Sequence, residues 1–334
     1  MADFHEVIRS RLAELVSRSA VPSIAYAIVL DGEVSVGGLG GAGPETVFQI
    51  GSVTKGFTGI LLADLAGRGL LRLSDPAANY MPKASPGRIT LLDLATHTSG
   101  LPPLPPGMRK YALLRPSDPY SLYPVATFLR TARRSLASAP GGVQPYRYSN
   151  YGFGLLGHLL GQAGAAAGGP GQSDTATYPA LVEQRICGPL GLRGTGFDAV
   201  ATQGHRRGRP VPDWRLGALA AAGGLYSTAA DLAKLLIACL TPGESPLEDP
   251  IRVATQPHRV VGPGVEIGLA WHHAVKDDQR VIWHNGMTGG FSAMVAVNRA
   301  RRAGVAALAN SSGIGVPPSP LDAPILDALG AAAR

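Results

Sequence analysis

The β-favouring runs of this 334-residue chain gather at its two ends. Near the start, Ile24 to Leu30 is apolar throughout, and Asp31-Gly32 marks a tight turn into Glu33 to Gly37. Near the end, Glu266 to Trp271, Arg280 to His284, Phe291 to Asn298 and Gly304 to Ala309 follow one another at turn-separated spacing. Strands at both ends with helices between have one economical arrangement, in which the terminal segments pair into a single antiparallel sheet. Residues 1–19 carry Phe4, Val7, Ile8, Leu12, Leu15 and Val16 at helical spacing, and Pro324 to Ala332 reads as a closing helix with proline at its first position. The expected class is α+β, with an antiparallel sheet from both chain ends flanked by helices and a mainly helical second lobe. Residues 1–68 and 257–334 would form the sheet domain and residues 69–256 the helical one.

The middle reads as short helices joined by punctuated loops. Thr90 caps Leu91 to Thr96, Phe128 to Leu136 and Phe153 to Leu160 are helical, and Ser227 or Thr228 caps a helix to Leu240. Residues 102–125 hold seven prolines and three tyrosines, which suggests an ordered loop insertion. Gly161 to Thr175, rich in Gly, Ala and Ser, reads as a flexible surface loop.

Several function classes drop out on composition. The net charge of +7 comes mainly from arginine, because only five of the 30 basic residues are lysine. The arginines are scattered and form no stripe, so nucleic-acid binding is not expected. Cys187 and Cys239 match no metal or redox spacing, and His272-His273 lacks a third ligand at metal spacing. No metal and no cofactor are expected, and no Gly-rich phosphate loop follows a strand. No run of about 18 apolar residues suggests a membrane span, and the first helix lacks a signal peptide's basic start, so a cytoplasmic setting is expected.

Three short motifs carry possible chemistry. In Gly51-Ser52-Val53-Thr54-Lys55, Ser52 opens a helical pattern and Lys55 follows one turn later on the same side. N-capping is the bland reading of Ser52. A lysine pushed toward its neutral form by burial, beside a hydroxyl, is also one recipe for an activated nucleophile. The second motif is Tyr148-Ser149-Asn150, at a break just before a helix. The third is His284-Asn285-Gly286, at the end of a β run and followed by Met287-Thr288-Gly289-Gly290-Phe291.

Taken in order, these motifs resemble the serine β-lactamase and penicillin-binding-protein superfamily, and within it the class C β-lactamase, D-alanyl-D-alanine carboxypeptidase and esterase branch. Leu94 to Leu101 and Ala222 to Leu232 add to the likeness, which covers roughly residues 20 to 310. The resemblance implies that Ser52 attacks a carbonyl and carries the acyl group. Lys55 and Tyr148 would hold the proton network, with Tyr148 the base if neighbouring cations lower its pKa. Asn150 would bind substrate or Lys55, and the amides of Ser52 and Met287 would form the oxyanion hole. His284, Asn285 and Gly286 would contact substrate.

His284 and Asn285 stand where the lactamase pattern has lysine and threonine, which favours an acyl substrate other than a carboxylate-bearing lactam. The expected function is an acyl-serine enzyme acting on a small-molecule ester or amide and passing the acyl group to water. The alternatives are a transacylase using an amine or alcohol acceptor, a β-lactamase or D-Ala-D-Ala peptidase, and a non-catalytic binding protein on the same fold. His97 sits in a helix-ending turn and reads as structural. Tyr111, Tyr120, Tyr123 and Tyr146 could line an acyl pocket or pack against their own loop.

Overall fold

The computed structural model describes residues 4–17, 21–166, 177–276, 279–312 and 319–330. Its centre is an eight-stranded antiparallel sheet built from both ends of the chain. The strands are β1 (Ile24–Leu30), β2 (Glu33–Leu39), β3 (Arg259–Gly262), β4 (Val265–Ile267), β5 (His272–Lys276), β6 (Gln279–Met287), β7 (Ser292–Asn298) and β8 (Ala303–Ala309). They lie in the order β2-β1-β8-β7-β6-β5-β4-β3. The first and last parts of the chain meet where β1 pairs with β8, Ile24 opposite Ala309 and Leu30 opposite Ala303. Strands β7 and β8 are buried at every position and β1 at all but its last. Strands buried on both faces read as continuous apolar runs, which is why their alternation is weak.

Each face of the sheet has its own helical cover. Helices α1 (Phe4–Ser17) and α7 (Asp322–Leu329) close one face, with Ile8, Leu12, Ile325 and Leu329 packed on Ile28 and Val305. The other face belongs to a larger core containing Ala27, Leu308, Phe57, Leu61, Leu232 and Leu236. At its heart is α2 (Thr54–Gly67), packed between α4 (Asn150–Ala166) and α6 (Glu248–Thr255). Helices α5 (Ala229–Leu240), which lies on β1 and β8, and α6 both belong to the 69–256 span. Helix α3 (Leu91–Ala95) starts at a complete capping box, with Thr90 and Asp93 bonded reciprocally.

The structure departs from the sequence expectations in several places. Glu266 to Trp271 does not form one strand: the chain turns through Ala270 at φ +74, separating β4 from β5. The 102–125 insertion contains a helix, Met108–Leu114. The expected loop from Gly161 begins inside α4, which continues through Ala166, and residues 167–175 lie outside the described set. Helix α7 starts at Asp322, so Pro324 is its third residue; first-turn N–H groups lack intrahelical partners, so proline fits there too. Among the described residues, no helix is long and apolar enough to cross a membrane.

Candidate active site

Ser52 lies in a 3-10 turn, Gly51–Val53, that leads directly into α2. Its hydroxyl does not cap the helix. It accepts a hydrogen bond from Lys55 Nζ at 2.8 Å, and the same amine donates to the Ala222 carbonyl at 2.6 Å. Helix α2 is buried on every side from Thr54 to Leu65, not along one stripe, and this encloses Lys55 completely. Burial without a facing carboxylate pushes the Lys55 amine well below its ordinary pKa. A neutral lysine in contact with a serine hydroxyl can take its proton.

Two close approaches aim the turn. Gly51 adopts φ +49, and a Cβ there would meet the Met287 main chain at 2.8 Å. A Cβ on Gly286 would stand 2.0 Å from the Ile50 carbonyl and 2.8 Å from the Ser52 amide nitrogen. Glycine at both positions lets the end of β6 press against the turn that holds Ser52. The segment after Ala222 supports the turn from the other side. Leu225 N donates to Thr54 Oγ1 at 3.1 Å, and Ile50 N donates to the Leu225 carbonyl at 3.0 Å.

Tyr148 sits just ahead of α4. Ser149 caps that helix, its hydroxyl accepting from Gly152 N at 2.9 Å and donating to the Pro102 carbonyl at 2.6 Å. Lys55 Nζ lies 4.8 Å from the centroid of the phenol ring. Burial, the largest cause, raises the Tyr148 pKa above its ordinary value. Lys55, itself pushed toward neutrality, is not among the causes that lower it. No neighbouring cation is among the causes that lower the Tyr148 pKa.

The third motif divides by strand alternation. His284 and Gly286 face the Ser52 side of the sheet. Asn285 faces the other way, donating from Nδ2 to Asp322 Oδ2 on α7 at 2.7 Å. The substrate contact expected of its side chain is thus corrected, since successive side chains of a strand point to opposite faces. That period-two pattern was available in the sequence. His284 is 1% exposed, and its Nδ1–H donates to the Asn285 carbonyl at 2.6 Å. Burial, the largest cause, holds it well below the ordinary imidazole pKa, so it is neutral. Its ring centroid is 6.5 Å from that of Tyr148.

A cleft of about 40 Å³ opens over Ser52, lined by Asn150, Met287, Thr288, Tyr120, Trp214 and Leu216 together with Gly51, Ala222 and Gly223. Asn150 thus reaches the substrate space, while the acceptor beside Lys55 is the Ala222 carbonyl, a main-chain group that no side-chain motif reveals. Of the four loop tyrosines, Tyr120 lines the cleft. Tyr111 and Tyr123 pack edge to face, and Tyr146 contacts His97. Trp214 is anchored to Gln49, which donates from Nε2 to the Trp214 carbonyl at 2.8 Å. Cys187 and Cys239 are buried free thiols whose pKa values burial raises to about 12. Among the described residues, no group of three or more His, Cys, Asp or Glu is placed to hold a metal ion.

Known proteins are similar to this chain in sequence. A family model described as Beta-lactamase matches residues 8–329. A Pseudomonas fluorescens protein named Beta-lactamase is 28% identical over 93% of this chain and 94% of its own length. The D-alanyl-D-alanine-carboxypeptidase/endopeptidase AmpH of Escherichia coli (strain K12) is 30% identical over 76% of this chain and 68% of its own length. A Beta-lactamase of the same strain is 27% identical over 80% of this chain and 70% of its own.

Proposed function

The chain belongs to the Beta-lactamase family, and from that premise we propose that it is a serine hydrolase of uncharged esters or amides, working through an acyl-enzyme on Ser52. In the first half-reaction Ser52 Oγ attacks the carbonyl carbon while the neutral Lys55 amine takes its proton. The developing oxyanion meets the amides of Ser52 and Met287. Tyr148 gives its hydroxyl proton to the leaving oxygen or nitrogen, the C–O or C–N bond breaks, and Lys55 returns a proton to Tyr148. Water then attacks the ester on Ser52 by the same proton path in reverse, releasing the acid.

The observation that carries the substrate class is the charge of the cleft. None of its lining side chains is charged, and the histidine in the third motif is held neutral by burial. A substrate carboxylate brought there would lose its hydration without gaining a cation. The apolar and aromatic walls of Tyr120, Trp214, Leu216 and Met287 favour a neutral acyl group instead. The relatives' names include lactam and D-Ala-D-Ala hydrolysis, so the comparison with those substrates is the decisive one.

The test sets p-nitrophenyl acetate and butyrate against nitrocefin and a D-Ala-D-Ala peptide, with a fluorophosphonate probe read by intact-protein mass. The neutral esters should show the higher kcat/KM by at least about 10²-fold, about 3 kcal/mol of discrimination. One label should appear on wild type and none on Ser52→Ala. Faster turnover of nitrocefin than of either ester would overturn the substrate class, and absence of the label would overturn the nucleophile.

A further inference from the structure

We propose that His97 is the positioning residue for Tyr148, binding the main chain on both sides of the phenol from a single point in the fold. The Arg147 amide donates to the His97 carbonyl at 2.9 Å, and the Ser149 amide donates to His97 Nδ1 at 3.0 Å. These are the residues immediately before and after Tyr148. The imidazole also packs on the phenol ring, with centroids 4.4 Å apart and planes tilted by 34°. Phe153, from the first turn of α4, backs the imidazole at 4.8 Å. One side chain and its carbonyl therefore fix the backbone and the ring face of Tyr148 together.

The residue type fits this task. His97 follows α3 in the left-handed region at φ +58, where histidine, asparagine and aspartate are the non-glycine residues most often tolerated. It is 1% exposed, so the contact with Ser149 does not compete with water. Accepting that amide requires an unprotonated Nδ1, with the ring proton on Nε2. Burial, the largest cause, keeps the ring neutral. A protonated ring would point a second N–H at the Ser149 amide and break the bond.

The hold matters because Tyr148 lies on the break before α4, where no ladder of helix bonds fixes its backbone. The phenol must stay on Ser52 and the leaving group while Lys55 exchanges protons. This role rests on the proposed use of Tyr148 in acyl transfer, and it makes His97 a positioning residue that never touches the reacting atoms.

Three variants separate the acceptor from the space it fills. His97→Gly keeps the positive φ without strain but removes the acceptor. His97→Leu fills much of the volume without an acceptor, and His97→Asn keeps a carbonyl oxygen near the Nδ1 position in a residue suited to that φ. Acylation of Ser52 by p-nitrophenyl acetate should slow about 10²-fold in the Gly and Leu variants, with KM changed less than about threefold. The Asn variant should stay within about tenfold of wild type. Hydrogen exchange at the Ser149 amide gives a readout that needs no activity: protection should fall in Gly and Leu and persist in Asn. Wild-type acylation rates in a folded Gly or Leu variant would overturn the proposal, as would unchanged Ser149 exchange. Should wild type never label at Ser52, the proposed hydrolase reading falls on its own, and the exchange arm still decides whether His97 holds this segment.

Discussion

At the scale of single residues, the proposed mechanism depends on Lys55 being an amine and not a cation. Its enclosure removes water, and its two hydrogen-bond partners, Ser52 Oγ and the Ala222 carbonyl, carry no charge. Because burial lowers its pKa, the base-competent form is present from that lowered value upward and not only above the ordinary lysine range. Acylation should therefore rise with pH to a plateau reached well below pH 10.5, the ordinary lysine value. Lys55→Arg keeps a positive charge but cannot give up a proton at any of these pH values. It should lose about 10²- to 10⁴-fold in acylation rate, as should Lys55→Met. Stopped-flow acylation across pH 5 to 10, with melting temperatures to confirm folding, checks both. Retention of activity by the arginine variant alone would show that charge, and not proton transfer, is what the position supplies.

At the scale of elements, the proposed oxyanion hole depends on how closely the end of β6 approaches the Ser52 turn. Gly286→Ala would place a methyl group 2.0 Å from the Ile50 carbonyl, a contact relieved only by moving strand or turn. The expected cost is about 1 to 3 kcal/mol in stability. Separating the Ser52 and Met287 amides should add about 10²- to 10³-fold in kcat. Urea unfolding and ester turnover measure the two effects, and a variant with normal kcat would remove Met287 from the oxyanion hole. Much of this level was legible in the sequence. The terminal β runs, the Asp31-Gly32 turn and the Thr90 cap are local signals, and all but the Glu266 to Trp271 run appear as elements close to the expected bounds. The groups not legible there are brought together by folding. The carbonyl that receives Lys55 is 167 residues away, and the amide that His97 receives is 52 away. Main-chain acceptors leave no mark on residue type. The left-handed backbone of His97 and the all-round burial of α2 likewise arise from packing and not from local pattern.

At the scale of the whole molecule, the buried histidines make stability depend on pH in a direction that can be worked out. His97, His273 and His284 are each 1% exposed. Burial is the largest cause lowering all three, with His273 brought to about 3 and the other two well below the ordinary value of 6.5. The unfolded chain therefore binds these protons near pH 6.5 while the native protein still refuses them. Their contribution to stability is complete above the unfolded value and is lost as pH falls toward the folded ones. At pH 5 His273 alone, brought to about 3, costs on the order of 2 kcal/mol, a sizeable part of the stability of many domains. Asp213 and Asp322 work in the opposite sense, since burial raises their carboxyl pKa values and the native state gains protons on acidification. Their window begins nearer the carboxylate range, so it does not offset the first drop. The urea midpoint should fall between pH 7 and pH 5 as unfolding takes up protons, among them those of His273 and of His272, brought to about 4. Replacing His273, which has no place in the proposed reaction, by Gln should lower the slope by about 1.4 kcal/mol per pH unit. A midpoint that is flat from pH 7 to pH 5 would mean that these imidazoles are hydrated or protonated in the native protein. A charged His284 would then restore the cation that the neutral-substrate reading excludes.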